Sequence, residues 1–402
     1  MKKLLLLGGS SYLLPVIEIA HKLDIYVITC DYLPDNTAHA FSDEYWDISI
    51  VDEDKVLEKA KENKIDGILS FACDPGVVTA AYVAEKMNLP FQCSYEAACI
   101  LQDKGRFRQY LTENGFNAPK AKGYSKEDDP MKDIGYFNWP VIVKPTDSAG
   151  SKGITKVETP DKLTEAVNTA LEASNGGTYI IEDFIEFKGC HSSADLFTID
   201  GKLTMNLFSD HVFDKNAPNS YVPICNIIPS TMSMDDQEYL GSELQRLMEL
   251  LGVKTGLFNI ETCVDVNGIP YIMEVTPRGG GCGIAELQDM AMNAFFVENE
   301  IRKAVNMDIV QSECEKIDGY YCELVIHLNN EKPCIYKDIS VREDISARNL
   351  KKIVMCVQPG DEVLPFTGAN RSLGNAYLHC DNREELIELV DHSSEWLDII
   401  VE

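Results

Sequence analysis

The sequence predicts a doubly wound α/β unit, then a mixed α+β unit, then a small α+β tail, and three observations carry that reading. The first 90 residues alternate short apolar runs with amphipathic stretches, the pattern of parallel strands joined by crossover helices. Residues 139–276 mix short strands, hairpin signals and single helices. Beyond residue 318 two strand-like runs and one helical run follow without a recognisable chemical motif. We place the boundaries at 1–115, 116–318 and 319–402.

In chain order, the apolar run 4–7, a helix over 12–23, a strand over 25–30, a helix through 56–61 and a strand over 68–71 build the first unit. Asp74-Pro75-Gly76 follows the last of these strands, at the end of a sheet where ligands usually bind. Residues 94–113 read as helix and stop at Gly115. A buried strand at 141–144 runs into a small-residue loop through Gly153, of the sort that cradles phosphates. A helix near 161–172, a strand at 179–182, a hairpin of 195–199 with 203–207, and a helix over 236–251 capped by Gly252 complete the second unit. In the tail, 322–328 and 376–379 read as strands and 383–392 as helix.

Composition narrows the partners. The 36 basic residues face 65 acidic ones, a formal charge of -29 that repels nucleic acid and anionic membrane surfaces. An anionic substrate must then be held by a few local cations. Thirteen cysteines, with no C-x-x-C pair and no Cys/His cluster at zinc spacing, read as reduced thiols of a cytoplasmic protein. The four leucines after Met1-Lys2-Lys3 are too short for a signal-peptide core, and no run approaches the roughly 18 apolar residues of a membrane span.

The most informative stretch is 257–276, LFNIETCVDVNGIPYIMEVT. Two alternating apolar segments flank Asn267-Gly268, a strong hairpin signal. With those two residues as the turn, Val266 faces Ile269, and counting outward sets Glu261 opposite Glu274. Like charges so placed are destabilising unless something screens them, and a divalent cation does. Magnesium takes one or two carboxylates together with substrate phosphates, which suits such a pair. Arg278-Gly279-Gly280-Gly281 follows, bringing a guanidinium and flexible N–H groups near the carboxylates. Lys144 ends an apolar strand, an expensive place for a cation that meets no anion. Lys104 opens a helical run, and Glu182-Asp183-Phe184-Ile185 closes the strand 179–182. Taken singly, each of these is an ordinary surface or core residue.

Taken in order, Lys104, Lys144 with its Gly/Ser loop, Glu182-Asp-Phe-Ile, Glu261 and Glu274-x-Thr-x-Arg-Gly-Gly-Gly resemble the ATP-grasp superfamily over about residues 1–300. The resemblance implies a Rossmann-like pre-ATP-grasp domain at 1–115, a two-lobed ATP-grasp domain at 116–318 and a C-terminal α+β region. It implies that Lys104 and Lys144 hold ATP phosphates, and that Ser148, Gly150, Ser151 and Gly153 close over them. It also implies that Glu182 with the Phe184 and Ile185 backbone meets adenine, that Glu261 and Glu274 bind Mg2+ (or Mn2+), and that Arg278 steadies the phosphate and an acyl phosphate. Two positions depart from the family: Thr276 stands where Asn is frequent, and Gly189-Cys190-His191 stands where a ribose-binding glutamate is common.

The activity implied is an ADP-forming carboxylate–amine ligase, with small-molecule acid and amine substrates and a homodimeric state. The stretches look most like the amino-acid ligase and carbamoyl-phosphate-synthase-like branches, and the size and layout like phosphoribosylglycinamide synthetase. Such chemistry needs no general-base histidine, and the seven histidines show no such arrangement in sequence. A dinucleotide-dependent oxidoreductase is the rival class, since Gly8-Gly9 follows a strand and Asp31 ends the next, but Leu13 replaces the third fingerprint glycine. A nucleotide-binding regulator without chemistry is the other.

Overall fold

The computed structural model describes residues 1–148, 150–205, 207–215, 217–311 and 316–402. Four parallel strands open the chain: β1 (Lys2–Leu7), β2 (Ile25–Asp31), β3 (Glu44–Asp47) and β4 (Gly67–Ser70), in the order β3-β2-β1-β4. Helices α1 (Leu14–Lys22), α2 (Glu53–Asn63) and α3 (Val77–Met87) make the crossovers. Leu4, Leu5, Leu6 and Leu7 are all fully buried, as expected of a central parallel strand covered on both faces. The sequence reading omits β3, whose four residues carry two acids and one buried tryptophan, Trp46, instead of an apolar run.

The single helix expected over 94–113 is two, α4 (Tyr95–Gln102) and α5 (Lys104–Glu113). Asp103 between them is extended and its carboxylate accepts from the Arg106 N–H at 2.8 Å, capping α5. The break therefore puts Lys104 on the first turn of a helix.

An antiparallel sheet follows, of β5 (Ala121–Ser125), β6 (Val141–Pro145), β7 (Thr155–Val157) and β8 (Thr178–Asp183), ordered β5-β8-β6-β7 and backed by α6 (Leu163–Ala173). Next come β9 (Ser192–Ile199), β10 (Lys202–Leu203), β11 (Asp210–Phe213), β12 (Pro223–Ile228), α7 (Met234–Leu250), β13 (Gly256–Val264) and β14 (Pro270–Thr276). The hairpin expected at 195–207 shrinks to two pairs, Lys202↔Ile199 and Leu203↔Thr198. Instead β9 pairs with β13, giving the sheet β10-β9-β13-β14.

Helices α8 (Ile284–Met292) and α9 (Phe296–Ala304) lead to β15 (Tyr320–Ile326), β16 (Cys334–Val341), α10 (Glu343–Arg348), β17 (Leu350–Met355), β18 (Glu362–Val363), β19 (Gly374–Cys380), α11 (Arg383–Asp391) and β20 (Leu397–Val401). The five-stranded sheet β11-β12-β15-β19-β17 draws strands from both sides of residue 318, and β18-β16-β20 form a small separate sheet. No helix among the described residues is long and apolar enough to cross a membrane. The twelve described cysteines are free thiols.

Leu5, buried in the middle of the first sheet, tests its packing. Leu5→Ala is expected to destabilise that unit by about 2–5 kcal/mol, read as a lowered midpoint in urea unfolding followed by circular dichroism.

Candidate functional site

The β13–β14 ribbon brings Glu261 opposite Glu274, as the residue count predicts, but by a different route. Val266 and Ile269 do not pair. The strands end at Val264 and Pro270, and a wider turn is closed by Asp265 N–H to Ile269 O and by Gly268 N–H to Asp265 O, both 2.9 Å. A shift of register between Glu261 and Thr262 leaves Met273 as the extra residue on β14. The wider turn slips the register by one, and the bulge restores it. Both glutamates, each about one-third exposed at the side chain, line one cleft with Met273.

Cations from three elements meet these acids. Lys104 reaches Glu274 at 3.6 Å and donates to the Ser148 carbonyl at 3.2 Å. Lys144 on β6 and Arg108 on α5 both clasp Glu182, each at 2.8 Å. Glu182 is only 1% exposed. Burial alone would raise its carboxyl, but Arg108 and then Lys144 hold it down at about 2. Glu182, which the sequence reading gives to adenine, lines the cleft with its carboxylate engaged by two buried cations, and Lys144 is pre-oriented by it.

Burial, with the Glu274 charge added, pushes Glu261 up to about 7. Against burial, Lys104 followed by Arg278 and Lys144 keeps Glu274 below its ordinary value. The pair thus splits, one carboxylate ionised and the other strained toward protonation. Such a pair fits a divalent cation with oxygen preference, and Glu261 and Glu274 are the residues that would hold it. Among the described residues no group of three His, Cys, Asp or Glu side chains could hold a metal ion without other ligands.

The cleft is half open to solvent, and its walls come from β6, the segment after β8, β11, β13 and β14. Ile142 and Met273 give it apolar walls, and Phe184 and Ile185 line it from the segment after β8. The Phe184 N–H is already bonded to the Pro140 carbonyl at 3.0 Å, so that donor is not free for a base. Ser151, at φ 59°, lines the cleft and donates to the Tyr221 carbonyl at 3.0 Å. Gly153 turns away: a Cβ there would come within 2.6 Å of Ala173 Cβ, so it serves packing on α6. Gly150, at φ 69°, has open space around it, and Ala149 of the same loop lies outside the described residues.

The glycine-rich turn after β14 is pinned from two directions. Arg278 is buried and its guanidinium meets Asp74 Oδ1 at 2.6 and 2.9 Å, tying the turn to the segment after β4. Asp195 on β9 accepts from the Gly280 N–H at 3.0 and 2.9 Å and from Asn259 at 2.8 Å. Arg278 is therefore near Glu274 electrostatically but does not line the cleft.

Sequence reasoning missed Arg108, Asp195 and a histidine pair. His191 and His211 stack with Nδ1 atoms 3.3 Å apart on the cleft wall, and His191 Nε2 lies 3.8 Å from Glu261. Burial, then Lys144, lowers His191 to about 4, and burial with His191 lowers His211 further, so both are neutral at pH 7. Twenty residues separate them, and only the β11–β9 approach unites them; the sequence carries no signal of it.

The family model of the ATP-grasp domain matches residues 137–286. The chain is similar to a formate-dependent phosphoribosylglycinamide formyltransferase of Synechococcus sp. (strain WH7803), 24% identical over 315 residues covering 78% of each protein. Its fold is similar to that of phosphoribosylglycinamide synthetase from Anaerococcus prevotii, with TM-score 0.79, 21% identity and full coverage of both chains. It is also similar to that of L-amino acid ligase from Bacillus licheniformis, with TM-score 0.81 and 19% identity over 100% of this chain and 98% of the other.

Glu182→Gln leaves Arg108 and Lys144 buried without their counter-charge, so a loss of about 3–5 kcal/mol is expected at pH 7. The ionised Glu182 contributes fully above its ordinary 4.5, and the contribution is lost as pH falls toward about 2. Denaturant unfolding of wild type and variant should therefore converge on acidification below 4.5. A pH-independent gap would refute the ionic role.

Proposed function

We propose that this chain, which carries an ATP-grasp domain at residues 137–286, is an ATP- and Mg2+-dependent carboxylate–amine ligase that releases ADP and phosphate. The observation that carries the reading is the Glu261–Glu274 pair inside a cleft with Lys104 at 3.6 Å from one of them. A divalent metal bound there neutralises phosphate charge and aligns the transferring group.

The reaction is an attack by a substrate carboxylate oxygen on the γ-phosphorus of ATP, breaking its bond to the β–γ bridging oxygen and giving an acyl phosphate and ADP. An amine nitrogen then attacks the acyl carbon, phosphate leaves, and the nitrogen gives up its protons. Lys104 and Lys144 receive the phosphates, with Ser148, Gly150 and Ser151 over them. Ile142 and Met273 sandwich the base, and the Ile185 backbone meets its edge. Arg278, held by Asp74, is a positioning residue that keeps the glycine turn and its N–H groups beside the developing charge. Positioning and charge neutralisation supply most of the rate, as in phosphoryl transfer generally. Residues 1–115 form a pre-ATP-grasp domain, 116–318 the nucleotide-binding domain and 319–402 a C-terminal α+β region that shares the five-stranded sheet with β11 and β12. The protein works in the cytoplasm as a homodimer on small molecules.

A second reading, a purine-pathway ligase or formyl transferase acting on a phosphoribosyl amine, is favoured by the names of the Synechococcus and Anaerococcus proteins.

ADP release screened over amino acids, formate and phosphoribosyl amines, with Mg2+ and with EDTA, separates the two readings. Glu274→Gln is expected to lower ADP release at least a hundredfold while the circular dichroism spectrum stays unchanged. Turnover that persists in EDTA, or in this variant, rejects the metal role.

A further inference from the structure

A continuous line of polar contacts runs from the interior of the five-stranded sheet to the carboxylate pair. Glu323 on β15 and Asn226 on β12 are cross-strand partners, and so are Asn226 and His211 on β11. The three side chains therefore share one face of the sheet, with Glu323 0% exposed, Asn226 2% and His211 6%. His211 stacks on His191, the residue before β9, with ring centroids 5.4 Å apart and Nδ1 atoms 3.3 Å apart. Both imidazoles line the cleft, and His191 Nε2 stands 3.8 Å from Glu261 Oε2. The steps assigned above use neither histidine nor Asn226.

The donors and acceptors along this line fix one another. Asn226 Nδ2 donates to Glu323 Oε2 at 3.1 Å. A carboxyl oxygen has a lone pair whether the group is ionised or acid, so the burial that favours the acid form of Glu323 leaves the direction of this bond unchanged. The other end of the amide, Oδ1, then faces His211, with which Asn226 shares a side-chain hydrogen bond, and it meets no other donor. An amide oxygen only accepts, so His211 must donate. With Nδ1 of His211 turned to His191, the nitrogen left for Asn226 is Nε2. A neutral imidazole carries one N–H, so Nδ1 of His211 is bare and His191 must donate to it from its own Nδ1. His191 Nε2 is thereby left as a lone pair at the cleft surface. Phe187 beside His191 and Phe213 edge-on to His211 hold the two ring planes.

What this lone pair can meet is limited by its neighbours. Two acceptors 3.8 Å apart do not bond each other; they call for a donor beside them. A direct metal–nitrogen bond is not what the geometry offers, since among the described residues no three His, Cys, Asp or Glu side chains converge on one ion. An ion on Glu261 and Glu274 completes its shell with water and phosphate oxygens, and magnesium in particular keeps several waters. A water on that ion brings O–H donors next to Glu261. A phosphate oxygen in the same place has nothing to donate.

We propose that His191 Nε2 is the acceptor for a water of the metal ion held by Glu261 and Glu274, and that Asn226 is the positioning residue that keeps the His191 proton on the far nitrogen. The inference rests on the ATP- and Mg2+-dependent reading and deepens it. With its proton on Nε2, His191 would aim a donor at the ion and its waters and repel both. Such an outer partner orients the ligands of an ion without joining them, and losing one weakens metal binding by about 10- to 100-fold.

Full-length wild-type protein with isotope-labelled histidine gives the tautomers directly by long-range nitrogen–proton correlation, the two rings being assigned by their proximity to Phe187 and Phe213. His191 should carry its proton on Nδ1 and His211 on Nε2; the opposite pattern overturns the proposal. Adding ADP with Mg2+ should move the His191 Nε2 resonance, and adding ADP with EDTA should leave it in place. Equal movement in both overturns the metal-held water, and neither arm needs a variant to fold. Mn2+ titrated into the ADP-bound enzyme and followed by electron paramagnetic resonance should bind about tenfold or more weakly to His191→Phe, which keeps a stacked ring but has no lone pair. Asn226→Leu, which does not touch the ion, should weaken Mn2+ by about threefold or more and place protons on His191 Nε2, a signature that a merely structural loss does not give. Unchanged Mn2+ affinity in a folded His191→Phe overturns the proposal and leaves the ligase reading intact. So does a loss confined to the nucleotide, with wild type rejecting 2′-deoxy-ATP as the variant rejects ATP, which would make a sugar hydroxyl the donor. Failure of wild type to bind either ADP or Mn2+ overturns the ATP-dependent reading and this one together.

Discussion

Two like charges face each other across a two-stranded ribbon, and the surrounding architecture is built to tolerate them. Opposed carboxylates on adjacent strands repel. Here the repulsion is managed by making the two acids unequal: Glu274 is held ionised by Lys104, Arg278 and Lys144, while Glu261 is left to rise. The cations come from α5, β6 and the turn after β14, so three separate packing events must succeed before the ribbon is comfortable. Glu182 then fixes two of the cations that the ribbon does not hold directly. The result is a network in which Lys104, Arg108 and Lys144 each meet a carboxylate and Glu261 is the acid left without a cation in contact.

The glycine-rich turn is where the parallel sheet and the cleft meet. Gly279 lies so close to the Phe71 ring that a Cβ would fall 2.3 Å from it, and the Ala72 N–H donates to the Gly279 carbonyl at 3.1 Å. Asp74 closes on Arg278 beside it. Glycine is needed here for close approach, not for turn flexibility. The same turn leans on Tyr377 of the last sheet at Gly283. Any displacement of the first sheet or the last is thereby passed to the backbone next to Glu274. Arg278 ties this frame to Asp74 while buried, with its charge still felt at Glu274.

Much of this could be read from the sequence, and the failures have physical causes. Strong apolar periodicity located β1, β2, α1 and α7 because burial on one face or both leaves a pattern. The edge strand β3 escaped because it is short and half-exposed, so it needs no apolar run. The Glu261–Glu274 pairing was reached by counting from an assumed two-residue turn. The actual turn is wider, and a bulge at Met273 cancels the slip, a compensation that no local pattern records. Lys104 was found by its order in the motif, but its placement depends on Asp103 breaking a helix that the apolar pattern runs straight through. Pairs made between elements distant in sequence or packed from different units, such as His191 with His211 or Arg108 on α5 with Glu182 on β8, depend on tertiary approach and were invisible.

A chain of formal charge -29 has no long-range means of gathering an anionic nucleotide. Attraction must come from contacts within a few ångströms, where burial weakens screening. That is why the cleft's cations rest on carboxylates. An unpaired lysine this deep would lose its charge or destabilise the fold, whereas one resting on a carboxylate keeps it ready. Lys104, at 3.6 Å from Glu274 and bonded to the Ser148 carbonyl, is the loosest of these pairings, while Lys144 is locked at 2.8 Å to Glu182. On the ligase reading proposed above, phosphate would draw on Lys104, whose loose contact with Glu274 can be given up while Lys144 stays on Glu182.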